Sequence, residues 1–442
     1  MTLDLRNIRS PIVVFCSKGD NITPPGQALG WIVDLYSDVD EVRSYGQTII
    51  YTVHETIGHL GIFVSSGVAR KEHGELSSNI DLIDTLPPGL YEAVFERKGE
   101  DTTGRDLVSG DWVMRCEART LEDIRMLGSN SAADERCFAT AARISETNLA
   151  LYRAFVQPAV RAVASAPLAQ WLQKLHPLRV QYELFSDANP LMAGIGRMAE
   201  WVKEHRRPAA KDNPFGGFQE TMSEQIVATL DSWRDARDSS AERTFFSIYG
   251  SPALQAIAGI EQNAPSTLRA GKSRLHDELL QARIADLKSK VTAGGLRAAV
   301  IRALLYAGMV RGGVDERGFE MVRRLRRSHG EIPLSEFKAL VREQFLILLV
   351  APDAALAALP GMIPSDPEVR QTALGLVKQV LAARGDITGE MAERLARIAG
   401  LLEIDADRSR IPPPSIVPPS SEIETRASGL RSKSARSQPQ QN

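Results

Sequence analysis

Asp20 and His59 are the two residues whose setting invites chemistry. Asp20 stands in "CSKGDNITPP" and His59 in "ETIGHLGIF". Each follows a short run of β-branched and aromatic residues, "IVVF" and "QTIIYTV", of the kind that forms a strand buried on both faces. A carboxylate and an imidazole on loops after neighbouring parallel strands would share one edge of a sheet. There the carboxylate would hold the ring in one tautomer and stabilise the imidazolium, while the ring takes a proton from a hydroxyl or thiol. That is two thirds of a catalytic triad, and the nucleophile is the missing third. Each residue also has a plainer reading. Gly19-Asp20-Asn21 is strong turn chemistry, so Asp20 alone reads as an Asx-turn residue and His59 alone as a loop histidine. Order and setting together favour the pair. His54, at the end of the same strand, is the second choice of base, and His73 after Lys71-Glu72 reads as solvated.

The elements that must position the pair follow from local signals. Pro24 and Pro25 suit the first turn of a helix, where a missing N–H is harmless. "GQALGWIVDLY" then turns Ala28, Trp31, Ile32 and Leu35 to one face. "IFVSSGVARKEHGEL" reads as a further helix. The order strand, acid loop, helix, strand, histidine loop, helix implies parallel strands joined by a crossover helix. The expected fold class is an α/β fragment followed by a large, mostly all-α region.

The stretch from "LRNIRSPIVVFCSKGDNITPP" through "HETIGHLGIFVSSGVARKEHGEL" to "LPPGLYE" resembles a bacterial family of unknown function described as poly(3-hydroxyalkanoate) synthase-like. "GDNITPP" and "GHLGIF" resemble the acid and histidine loops of the synthases themselves. "AFVQPAVRA", "LHPLRVQYELFSDANPLM" and "DNPF" carry the likeness over most of the chain. The resemblance implies the last two parallel strands and helices of an α/β-hydrolase. It implies Asp20 as the acid, His59 as the general base, and an acyl ester or acyl-CoA as substrate, with no cofactor and no metal. Two departures stand out. Pro25 occupies the place where true synthases usually carry Trp. No Gly-x-Cys-x-Gly or Gly-x-Ser-x-Gly elbow occurs in the chain. Cys16 lies inside the strand end and reads as a small core residue. Cys116 and Cys137 follow the histidine, the wrong side for the order nucleophile, acid, histidine. The expectation is a nucleophile before Met1, on a polypeptide that supplies the rest of the core. Two parallel strands alone cannot make a stable, doubly covered sheet.

Composition bounds the rest. With 53 Lys and Arg against 55 Asp and Glu, the net charge of −2 excludes a nucleic-acid binder that works by neutralising phosphates. Three cysteines without regular spacing make neither a disulfide framework nor a zinc site. With no apolar leader at the N-terminus, this points to the cytoplasm. The longest apolar run, "FLILLV", is too short to span a bilayer. The expected organisation is a hydrolase core part over 1–95, a linker or short strands over 96–119 and a helical region over 120–295. A compact helical unit over 296–402 and a disordered Pro/Ser/Arg-rich tail over 403–442 complete it.

Residues 120–402 are expected to fold without the first ninety. The stripe Leu149, Tyr152, Val156, Val160 and Val163, with a kink at Pro158, reads as a core seam between helices, as does Leu275, Leu279, Ile284, Leu287 and Val291. The 296–402 unit loosely resembles the TerB-like fold. Arg311-Gly312 departs from that family's pattern, so Asp315 reads as a helix cap rather than as a metal ligand beside Glu316. Two functions remain open: acyl transfer or ester hydrolysis in a completed hydrolase, and a non-catalytic helical interaction or scaffold protein.

Overall fold

The computed structural model describes residues 4–128, 131–186, 189–208, 210, 213–260, 274–309, 313–328 and 332–404. Arg311, Gly312 and the tail beyond 404 lie outside the described residues. The chain divides into two compact units, one made of Met1–Ser129 with Arg269–Asn442, the other of Asn130–Leu268.

The first unit is built on a five-stranded sheet. Its strands are β1 (Ile12–Ser17), β2 (Thr48–His54), β3 (Gly89–Arg97), β4 (Trp112–Ala118) and β5 (Gly313–Asp315), adjacent in that order. β1, β2 and β3 run parallel, and β4 and β5 are antiparallel to their neighbours. The expected pair of strands is therefore not left alone: three more strands extend the sheet on the β2 side, and β1 is the edge. The pleat sorts β2 by parity. Ile49 and Tyr51 join Cys16 and Leu90 against Leu29 and Ile32 of helix Pro25–Leu35, Tyr36 just after it, and Leu121 and Ile124 of helix Leu121–Met126. Ile50, Tyr91, Ala93, Met114 and Cys116 face the other way, onto Leu82 and Ile83 of helix Ile80–Thr85. Each fully buried side chain of this size contributes about 1.5–3 kcal/mol. The stretch after His59 is a string of short helical segments from Gly61 to Ser78, including a π-turn over Ala69–His73, rather than one helix.

β5 comes from the segment expected to fold apart. It pairs Val314 with Cys116, and helix Glu316–Ser328 follows it directly. The division at 120 therefore does not hold in the structure, which joins the C-terminal helices to the sheet and separates 130–268 instead. Helices Gly295–Gly308, Pro367–Ala382 and Glu390–Leu401 close on one another through Ala298, Ala299, Ala303 and Ala307 against Leu374, Val377, Leu381, Leu395 and Ile398. Arg302 is wholly buried beside them. It donates to Gln344 Oε1 at 2.8 Å and to the carbonyls of Val291 and Ala355 at 2.7 and 3.0 Å. Asp315 accepts from the Arg317 amide at 2.9 Å and pairs with its guanidinium at 2.7 Å, as a residue at a helix start does.

The second unit has an aromatic cluster that is partly open to solvent. Phe138 of helix Ala132–Leu151 meets Phe245 and Phe246 of helix Pro214–Tyr249 at ring distances of 5.2 and 6.1 Å. Its long apolar stripe is not a core seam. Leu149, Tyr152, Val156, Val160 and Val163 all stand at least 39% exposed. A π-turn over Tyr152–Val156 precedes Pro158, whose ring leaves no N–H for the preceding turn. In the other expected seam Leu287 and Val291 are buried, but Leu275 and Leu279 are exposed. Among the described residues no helix is long and apolar enough to cross a membrane.

At the β4–β5 junction a carboxyl group is buried. Glu316 Oε2 accepts from the Met114 amide at 3.1 Å and from Asn79 Nδ2 at 2.9 Å. Burial pushes its pKa from 4.5 up to about 7, with the charges of Glu75 and Asp315 adding to the rise. The folded chain thus keeps a proton that the unfolded chain has released, so stability falls as pH rises from about 4.5 to about 7 and levels off above that. Glu316→Gln keeps an acceptor oxygen without the charge. It should raise stability at pH 8 by about 1–3 kcal/mol, with the gain shrinking toward pH 4.5. Urea unfolding of both proteins across that range checks this; a gain independent of pH would contradict it.

Candidate functional site

The site is set by strand register. β1 and β2 pair in parallel with Ser17 opposite His54, so both chains leave the sheet at the same edge. Backbone contacts then lock the two loops together. The Lys18 amide donates to the His54 carbonyl at 2.9 Å. Ser17 Oγ donates to the Ile57 carbonyl at 2.7 Å and accepts from the Gly19 amide at 3.1 Å. A Cβ on Gly19 would lie 2.3 Å from the Thr56 carbonyl oxygen, so only glycine allows this approach. His54 Nδ1 accepts the Thr56 and Ile57 amides, each at 3.2 Å. That commits His54 to shaping the turn rather than to proton transfer.

The loops bring Asp20 and His59 together. Asp20 Oδ2 accepts from His59 Nδ1 at 2.9 Å. The other oxygen, Oδ1, accepts the Ile22 and Thr23 amides, both at 2.9 Å. Asp20 is therefore an Asx-turn residue and a histidine partner at once, one oxygen for each. Burial by itself would raise its pKa. The Thr23 amide, the His59 ring and the Ile22 amide outweigh that, and the carboxyl is held below its ordinary value. A carboxylate can only accept, so Nδ1 carries a proton, and in the neutral ring Nε2 is left as the acceptor. Asp20 is 2% exposed, whereas the His59 side chain is 36% exposed and reaches solvent. This arrangement can orient the imidazole and stabilise it when protonated; among the described residues it has no group to deprotonate.

No hydroxyl or thiol among the described residues hydrogen-bonds Nε2. The Ser17 hydroxyl is directed at a carbonyl. The Cys16 thiol is buried, donates to the Thr52 carbonyl at 3.5 Å, and is pushed up to about 12 by burial, with the charge of Glu92 adding. At neutral pH it is a thiol in the core. Cys116 is likewise buried and pushed up to about 12. Apolar side chains neighbour His59 and Asp20 along the chain instead: Ile22, Leu60, Phe63 and Val64 are 62–78% exposed.

Sequence reasoning misses the roles of Ser17, Gly19 and His54. Gly19 has a weak signal, being next to the acid. Ser17 has none, because its contacts run to a backbone about forty residues away.

Residues 1–291 match the family model described as "Protein of unknown function (DUF3141)". An uncharacterized protein of Rhizobium meliloti, encoded in the ackA 5′ region, is 54% identical over 410 residues, which is 92% of this chain and 56% of that protein. The chain thus spans little more than half the length of that relative. No solved structure matches. The family match covers both site loops and the sheet through β4, and the chain belongs to DUF3141, a family of proteins of unknown function.

Proposed function

We propose that this chain is the acid–histidine part of a poly(3-hydroxyalkanoate) synthase-like α/β-hydrolase that acts on acyl esters or acyl-CoA thioesters. The observation that carries the reading is the 2.9 Å hydrogen bond from His59 Nδ1 to a buried Asp20 carboxylate, on loops that leave adjacent parallel strands. A structural loop histidine needs no such partner, and a general base does. In this reading His59 Nε2 takes the proton of a nucleophile and later returns it to the leaving group. Asp20 stays ionised and holds the ring. The nucleophile is supplied by polypeptide that packs at the outer edge of β1, which has no neighbouring strand among the described residues and where Val13 is 40% exposed. The greater length of the Rhizobium meliloti relative is compatible with a nucleophile carried elsewhere in the same protein. A second reading, a non-catalytic helical interaction or scaffold protein, draws on Asn130–Leu268, where Trp171, Trp201 and Trp233 stand about 60% exposed.

The chain by itself should hydrolyse neither p-nitrophenyl butyrate nor an acyl-CoA above background, because His59 has nothing to activate. A protein of the relative's full length should turn over one of these substrates. His59→Ala in it should lower kcat by roughly 10⁶. Failure of the longer protein on both substrates would sink the hydrolase reading and leave the scaffold reading.

The pair itself is tested without activity. Nitrogen NMR of the neutral His59 ring should report the Nδ1–H tautomer, and Asp20→Asn should disturb it while the fold persists. Gly19→Ala should act through the backbone. Its methyl meets the Thr56 carbonyl, so the loops must part and the tautomer preference should weaken although neither side chain of the pair is touched. An Nε2–H tautomer in the native chain would contradict the assignment.

A further inference from the structure

A second site lies at the other end of the sheet. Helices Gly295–Gly308, Glu316–Ser328, Leu334–Val350 and Pro367–Ala382 line with β5 a half-open cavity of about 770 Å³. Volumes of this order hold a small molecule. Its walls are apolar, with Leu304, Phe319, Val322, Leu340, Val377 and Val380 facing it from all four helices. The charged groups on its lining are not equally available. Asp315 is paired with Arg317, Asp366 accepts the Glu368 amide at 2.9 Å, and Arg384 donates to the carbonyls of Gly308 and Gly313. Glu368 and Arg297 are exposed. Arg326 differs from all of these. Its guanidinium stands 5.3 Å from the Phe337 ring centre, and its Nε is buried with no hydrogen-bond partner among the described residues. A buried guanidinium N–H without an acceptor is costly, and an anion would relieve it.

We propose that this cavity binds a single-chain anionic amphiphile, its acyl chain among the apolar walls and its carboxylate or phosphate on Arg326. The volume and apolar lining select the chain, and the Arg326 guanidinium, with its Nε–H unsatisfied, selects the charge. The site shares no residue with the Asp20–His59 pair and stands or falls independently of it.

The test uses the full chain and a dansyl-labelled undecanoic acid. Its fluorescence should rise saturably, at one probe per chain. Laurate and lauroyl-CoA should displace it, and the tighter of the two identifies which anionic end the site takes. Methyl laurate, which has no charge, should compete about tenfold less well. Arg326→Gln should weaken laurate by about tenfold and leave methyl laurate unchanged. Val322→Trp should fill the cavity from a half-buried position and abolish binding of both. The proposal is overturned by an absence of saturable binding, by equal competition from laurate and methyl laurate, or by unaltered laurate affinity in Arg326→Gln. It is also overturned if an amphipathic helical peptide displaces the probe better than laurate, which would make the groove a peptide-docking surface.

Discussion

The parallel pairing of β1 with β2 is the constraint on which the site depends. Ser17 opposite His54 fixes where each chain leaves the sheet, and a slip of one residue would turn Cys16, Ile49 and Tyr51 out of the core they share. Because that register is held by buried side chains on both faces, the loops beyond it inherit a fixed separation. Ser17, Gly19 and His54 then convert nearness into contact through the backbone. The Asp20–His59 bond lies at the end of this chain of cause, and none of its links requires a ligand to be present.

The two loops also divide their labour. Asp20 uses one oxygen to close its own turn and the other to hold the ring, so the geometry that folds the loop is the geometry that aims the histidine. The lowered pKa of the carboxyl follows from the same donors. Its contribution to stability is present above the ordinary carboxylate range and is lost as pH falls below that range. Glu316 at the far side of the sheet responds in the opposite sense, since burial without a cation favours its neutral form. The same sheet therefore carries one carboxyl that resists acid and one that resists base.

The acid and histidine loops are legible in the sequence because their signals are local: a β-branched run, a glycine and a titratable residue within a dozen positions. β5 is not legible. It has three residues, no periodicity to detect, and a partner strand far back in the chain. Its omission explains why the C-terminal helices read as a separate body. The stripe through Leu149 and Val163 fails for a different reason. Periodicity shows that a helix has an apolar face but not what covers it. Likewise Gly19 and Ser17 act on a backbone about forty residues away, which no short window contains. Cys16 is legible as a core residue because it follows the apolar run without a break.

The position of β5 bears on how the chain is made. β4 ends at Ala118 and its partner begins at Gly313, with the whole unit Asn130–Leu268 between them. A ribosome adding 5–20 residues per second needs roughly 10–40 seconds to cover the intervening stretch of about 195 residues. During that interval the outer edge of β4 is open while β1 to β3 already have their partners. The Met114 amide and the backbone groups of Arg115, Cys116 and Glu117, partnered at the finish by Glu316 and β5, would meanwhile face solvent or whatever protein is nearest. The nascent chain thus passes through a window in which its most strand-like exposed edge has to be shielded by a chaperone, by the emerging helices, or by speed of synthesis.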